Sequence, residues 1–116
     1  SLVVSEMCIR DSTDHPTRFA DDLTQAELVR GYTVRPTDID FGRHMNNVAY
    51  VRVLLDCFSA AELASGRIAS MEVHYAAPCL EGEELGVYCR REESGCRLAI
   101  KKADGKAAVL AAVKLR

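Results

Sequence analysis

From residue 48 to residue 63 only Arg52, Asp56, Ser59 and Glu62 interrupt a run that is otherwise apolar. Their steps of four, three and three put all of them on one face of a helix, so the remaining circumference has to be covered by protein on several sides. A helix of this kind is wrapped, not laid on a surface. Asn46 or Asn47 can cap its start, and Gly66 stands where a helix of that length would stop. Losing the cap would cost roughly 1 kcal/mol.

The wrapping material is strand. "LVRGYTVRP", 28 to 36, is rich in strand formers and ends at Pro36, which supplies no ladder donor and keeps its predecessor extended. After the helix, Met71, Val73 and Tyr75 alternate with Ser70, Glu72 and His74, the period of a sheet with one buried face. "ELGVYCRR" alternates Leu85, Val87 and Cys89 against Gly86, Tyr88 and Arg90. "CRLAIKK" sets Cys96, Leu98 and Ile100 against Arg97, Ala99 and Lys101. Asp104 and Gly105 signal a two-residue hairpin turn, and 107 to 115 is strand again, with Val109, Ala111, Val113 and Leu115 on one side. The order β-α-β-β-β-β, its last four strands joined by short turns, predicts an α+β architecture: an antiparallel sheet wrapped around one long buried helix, the hotdog fold.

At 116 residues the chain fits one domain with a modest core. Residues 28–116 are expected to form it. Residues 13–27 are polar, with one proline, and read as a linker. Residues 1–12 lack caps and sustained periodicity and are expected to be a non-native or disordered head. "VSEMCIRDS" also resembles a recurrent translation of sequencing-adapter DNA, which would make the chain a truncated fragment whose biological sequence starts near Thr13.

Fifteen Lys and Arg against seventeen Asp and Glu leave a net charge of -2, so neither nucleic acid nor an anionic membrane is favoured as a partner. No apolar run reaches the length of a membrane span. Five cysteines without CxxC spacing argue against a disulfide framework and a zinc knuckle, and point to a reducing cytosol. Cys57, Cys89 and Cys96 read as small buried hydrophobes.

Polar chemistry is concentrated in "DIDFGRHMNNVAY", residues 38 to 50, between the first strand and the helix start. Unpaired N–H groups and the dipole make a helix start a seat for a developing oxyanion, each well-placed donor being worth ~3 kcal/mol in the transition state. Asp40 and His44 can supply a general base or nucleophile and its orienting partner; equally, Asp40 can bond the loop's own backbone while His44 tethers it. Asp38 leans toward shaping the turn after Pro36. Asn46 and Asn47 suit a cap and a loop brace. His74 falls on a polar strand face, His15 in the linker, and Glu81 and Glu83 read as solvated surface charge.

At these residues the chain resembles the C-terminal half of the acyl-acyl-carrier-protein thioesterases, whose hallmark reads roughly D-x-D-x-x-x-H-x-N-N-x-x-Y. It stands here as Asp38, Asp40, His44, Asn46, Asn47 and Tyr50, and the likeness continues through "MEVHYAAPCLEGEEL", spanning about residues 29 to 115. The resemblance implies a cytoplasmic hydrolase that releases fatty acid from acyl carrier protein in fatty acid biosynthesis, with no metal and no cofactor. It implies Asp40, His44 and Asn46 as the catalytic set, and Asn47, Gly42 and Tyr50 as substrate-binding or oxyanion support. It also implies a second hotdog domain, in the same chain or from a homodimer, because the family joins two halves. The family often has an asparagine two residues after the aspartate and a glutamate on the following strand; Gly42 and Pro78 hold those places here, and neither can do acid–base work. Cys79 lies beside the second place but lacks a nearby base in the sequence. Either Asp40, His44 and a held water suffice, or the site depends on another residue such as Glu81. The rival readings are a single-hotdog acyl-coenzyme A thioesterase and a non-catalytic half that supports the fold or binds an acyl chain. A hotdog dehydratase ranks third, since its histidine-centred motif is not what "DIDFGRHMNN" looks like.

Overall fold

The period-two runs form strands whose inner faces line up across one sheet. A computed structural model of the chain describes residues 2–4, 7–11, 23 and 25–116. Its strands are β1 (Leu2–Val4), β2 (Met7–Asp11), β3 (Glu27–Thr33), β4 (Ile68–Tyr75), β5 (Glu84–Glu92), β6 (Gly95–Lys101) and β7 (Ala107–Leu115), with helices α1 (Asn47–Leu55) and α2 (Ala60–Ala64) between β3 and β4. The sheet order is β1-β2-β4-β7-β6-β5-β3. Neighbours are antiparallel except β2 and β4, which are parallel.

Register aligns Tyr75, Val109, Ile100 and Val87 in one row, and Val73, Ala111, Leu98 and Cys89 in the next. Helix α1 buries Ala49, Tyr50, Val51, Val53 and Leu54 against these rows, as the α+β hotdog reading requires. Arg52, Asp56, Ser59 and Glu62 form the exposed stripe. Cys96 is buried, while Cys57 and Cys89 are half-buried against the same core.

Four expectations need correction. The single long helix is two helices: Ser59 Oγ accepts from Glu62 N at 3.0 Å and Glu62 Oε1 accepts from Ser59 N at 2.9 Å, a reciprocal capping box that starts a new helix inside the apolar run. Secondly, β4 is not hairpinned to β5 but pairs with β7, so residues 76–83 cross the sheet end. Three strand spacings amount to roughly 14 Å, well within the about 26 Å that a segment of this length can span. Thirdly, the turn after β6 is wider than two residues. Lys102 N donates to Lys106 O and Gly105 takes a φ of 89°, so Ala103, Asp104 and Gly105 make a three-residue loop with glycine at its left-handed position. Lastly, the head contributes two strands. Met7 and Ile9 are 1% and 5% exposed and β2 completes the edge of β4, because alternating apolar residues there match the inner face of the sheet. Of the expected linker, residues 13–22, including His15, and residue 24 lie outside the described residues; Leu23 packs with Ala99 and Leu110 on the outer face of the sheet. Among the described residues no helix is long and apolar enough to cross a membrane.

Leu54 is fully buried, so Leu54→Ala should lose about 2–5 kcal/mol in urea denaturation, whereas Ser59→Ala, which removes only a cap, should lose about 1 kcal/mol. No loss in Ser59→Ala would contradict the capping box that starts the second helix. Burial pushes the Cys57 thiol up to about 11 from 9.0, and pushes the Cys96 thiol and the Tyr50 phenol up as well. Raised acids release their protons from the unfolded chain first, so their contribution is complete below about pH 9 and is lost as pH rises above it. The urea midpoint should therefore fall steadily above pH 9; a flat midpoint to pH 10.5 would refute the burial of these groups.

Candidate active site

Strand β3 delivers the chain to Pro36, and Arg35 before it is extended (φ −96°, ψ 154°), as a residue preceding proline must be. A single 3-10 turn, Pro36–Asp38, follows. Asp38 is 1% exposed; its Oδ2 accepts from Tyr32 Oη at 2.6 Å and from Arg35 N at 2.9 Å, and Arg52 lies 4.0 Å from Oδ1. Its carbonyl accepts from Asn46 N at 2.9 Å. Asp38 thus shapes the turn, as expected, and holds the helix start as well.

Beyond Asp38 the chain makes a short loop closed at its base. Ile39 and Met45 form an antiparallel bridge, Asp40 N donates to His44 O at 3.1 Å, and Arg43 N donates to Asp40 O at 3.0 Å with Arg43 at a φ of 66°. Gly42 N donates to Asp40 Oδ1 at 2.8 Å. A side-chain carbon placed on Gly42 would lie 3.2 Å from Asp40 Oδ1 and 3.9 Å from His44 Nδ1, so these two atoms are no farther apart than those distances together. The loop therefore places the Asp40 carboxylate and the His44 imidazole on either side of Gly42. Both are exposed, and Asp40 Oδ2 and the imidazole make no hydrogen bond among the described residues.

Asp40 and His44 open onto a cleft of about 310 Å³. Met45, Asn47 and Tyr50 line it from the helix side, and Tyr75 and residues 76–78 from the end of β4. Asn46 does not line it: its Oδ1 accepts from Ala49 N at 2.8 Å and caps α1. The N–H groups of Asn47 and Val48 have no acceptor among the described residues, so the positive end of α1 stands at the wall of the cleft.

The opposite wall is stapled to the helix. Met45 N donates to Cys79 O at 2.9 Å, and Cys79 N donates to Tyr50 Oη at 3.0 Å. Tyr50 lines the cleft floor, but its hydroxyl is committed to this bond, and burial, then hydrogen bonding with Cys79, holds the phenol protonated well above neutral pH. Cys79 is fully buried and burial raises its thiol too, so it is no nucleophile. Glu81 and His74 do not line the cleft. Glu83 is not mere surface charge: Oε2 accepts from Leu80 N at 2.6 Å, Oε1 lies 3.4 Å from Lys102 Nζ, and Lys102 Nζ donates to Pro78 O at 2.9 Å. The pair shapes the wall that carries Pro78, a role that local spacing between Leu80 and Glu83 alone could have suggested.

The family model of the acyl-ACP thioesterase C-terminal domain matches residues 21–116. The chain belongs to that family. As an acyl-ACP thioesterase C-terminal domain it is similar in structure to an acyl-ACP thioesterase from Bacteroides thetaiotaomicron, with a TM-score of 0.70 at 28% identity over 78% of this chain and 37% of that one. It is also similar in fold to the 12:0-ACP thioesterase from Umbellularia californica, with a TM-score of 0.64 at 21% identity over 79% of this chain and 36% of that one. A Staphylococcus aureus protein in complex with CoA shares the fold, with a TM-score of 0.65 at 19% identity over 78% of this chain and 76% of that one. The domain spans little more than a third of the length of the Bacteroides and Umbellularia enzymes. No curated protein sequence matches it.

The bond from Cys79 N to Tyr50 Oη is buried, so its loss should be measurable. Tyr50→Phe leaves a buried Cys79 N–H unpaired and should lower stability by about 1–3 kcal/mol in urea denaturation. Unchanged stability would show that the loop stays in place without that bond.

Proposed function

We propose that the chain hydrolyses fatty acyl thioesters carried on acyl carrier protein, with Asp40 and His44 as its catalytic pair. The observation that carries this reading is the closed loop that brings the two side chains to one cleft at the start of α1. Family membership supports thioester chemistry, and the geometry supports a way of doing it.

The thioester carbonyl lies against the free N–H groups of Asn47 and Val48, where each donor can contribute ~3 kcal/mol to the oxyanion. Neutral His44 takes a proton from water as the water oxygen attacks the carbonyl carbon. Asp40 has Oδ1 held by Gly42 N, which leaves Oδ2 to orient the water or the imidazole. When the C–S bond breaks, the imidazolium returns the proton to the pantetheine sulfur, and fatty acid and free thiol leave. Gly42 serves through its N–H, and Asn46 through the helix it caps. A second hotdog domain, in the same chain or from a partner copy, completes the cleft in this reading.

Dodecanoyl thioesters are the first substrates to try, since the Umbellularia relative is a 12:0-ACP enzyme. Asp40→Ala and His44→Ala should each lower kcat by at least about 100-fold on dodecanoyl-ACP; the melting temperature should be unchanged in His44→Ala and fall only slightly in Asp40→Ala, which loses the exposed bond from Gly42 N. Hydrolysis surviving either substitution unaltered contradicts the assignment. A higher kcat/KM for dodecanoyl-CoA than for dodecanoyl-ACP contradicts the carrier-protein substrate while leaving the pair standing.

A further inference from the structure

The wall that faces Asp40 and His44 belongs to an irregular stretch, residues 76–83, tied down largely through its own main chain. Ala76 N and Ala77 N donate to Ala108 O on β7 at 2.8 and 3.1 Å. Met45 N and Tyr50 Oη hold Cys79 from the helix side. Gly82 N donates to Val34 O at 2.9 Å, and Glu83 O accepts from Val34 N at 3.0 Å. Pro78 differs. It has no N–H to give, and its carbonyl accepts from a side chain, Lys102 Nζ, at 2.9 Å. Pro78 lines the cleft and Lys102 does not.

Lys102 is itself held from two sides. Its N–H donates to Lys106 O at 2.8 Å, at the base of the loop between β6 and β7, and its ammonium lies 3.4 Å from Glu83 Oε1. Glu83 Oε2 accepts from Leu80 N at 2.6 Å. A closed ring results, running from Lys102 to Pro78 O, along the chain to Leu80 N, and back through the Glu83 carboxylate. The two side chains are 25% and 27% exposed, so solvent screens this pair less than one on the open surface. Peptide 78–79 is gripped at both ends, its carbonyl by Lys102 and its N–H by Tyr50.

We propose that Lys102 is a positioning residue for thioester hydrolysis, fixing the Pro78 wall across the cleft from Asp40 and His44. This rests on the thioesterase reading given above. Lys102 touches no reacting atom and acts through Pro78, which limits how far the acyl carbonyl can move from the N–H groups of Asn47 and Val48. Reaction geometry is sensitive to such a wall, since a misplacement of about 1 Å can cost about 100-fold in rate.

Lys102→Met removes the donor and keeps the stem, whereas Lys102→Arg keeps a donor. For the full chain, kcat and KM are measured on dodecanoyl-ACP and dodecanoyl-CoA, and amide hydrogen exchange of residues 76–83 is followed in the same variants. Lys102→Met should lower kcat about tenfold on both carriers, with KM within about twofold of the wild type, and should speed exchange at Cys79. Lys102→Arg should recover most of the kcat. An unchanged kcat in Lys102→Met, or an equal loss in Lys102→Arg, overturns the proposal. So does a rise in KM confined to dodecanoyl-ACP at constant kcat, which would make Lys102 a docking contact for the carrier. If the wild type hydrolyses neither thioester, the catalytic reading falls by itself: faster exchange in Lys102→Met then upholds the hold on the wall, and unchanged exchange removes that as well.

Discussion

One buried carboxylate holds the working end of this domain together. Asp38 is sealed from water, and its oxygen receives the hydroxyl of Tyr32 on β3 and the N–H of Arg35 ahead of the 3-10 turn. Its carbonyl receives Asn46 N, the residue that caps α1. Strand, turn and helix start therefore meet at a single residue. A buried charge is tolerated there because its lone pairs are taken by donors that the fold must satisfy in any case. The cation at Arg52 is too distant and too exposed to do the same work.

The site follows from that anchor by short steps. Once Ile39 and Met45 are bridged, the chain between them has to turn within a few residues, and Arg43 takes the left-handed conformation that lets it. Asp40 and His44 then stand at the base of the turn. Met45 N on Cys79 O, with Tyr50 Oη under Cys79 N, brings the loop after β4 up as the facing wall. Hydrogen bonds made by backbone and buried groups thus define a cleft onto which Asp40 and His44 open, with Asp40 Oδ2 and the imidazole free of hydrogen bonds among the described residues. That arrangement lets Asp40 and His44 be substituted without unfolding the protein.

Much of the fold was legible in the sequence because its signals are local. Period-two runs identified β4 to β7, and the stripe of Arg52, Asp56, Ser59 and Glu62 identified the helical segment and its exposed face. The signals that were missed compete with stronger ones or act over distance. Ser59 and Glu62 read as stripe residues, and they also form the capping box that divides the helix. The crossing of residues 76–83 has no local mark, since nothing in a strand's own sequence says which neighbour it pairs with. The same holds for the site: spacing put Asp40 and His44 on one loop and Asn46 at a cap. Asn46 turns from the cleft through a local bond from Ala49 N, but that Tyr50 is spent on Cys79 depends on a contact 29 residues apart.

The central claim is that Asp40 and His44 act as one unit at the start of α1. A double-mutant cycle on kcat for dodecanoyl-ACP hydrolysis tests it most directly, using Asp40→Ala, His44→Ala and the pair combined. Residues working in one proton-transfer step should be strongly non-additive, with the double variant about as slow as the slower single variant. Losses that multiply, so that the double variant is slower by the product of the two single effects, would contradict the account.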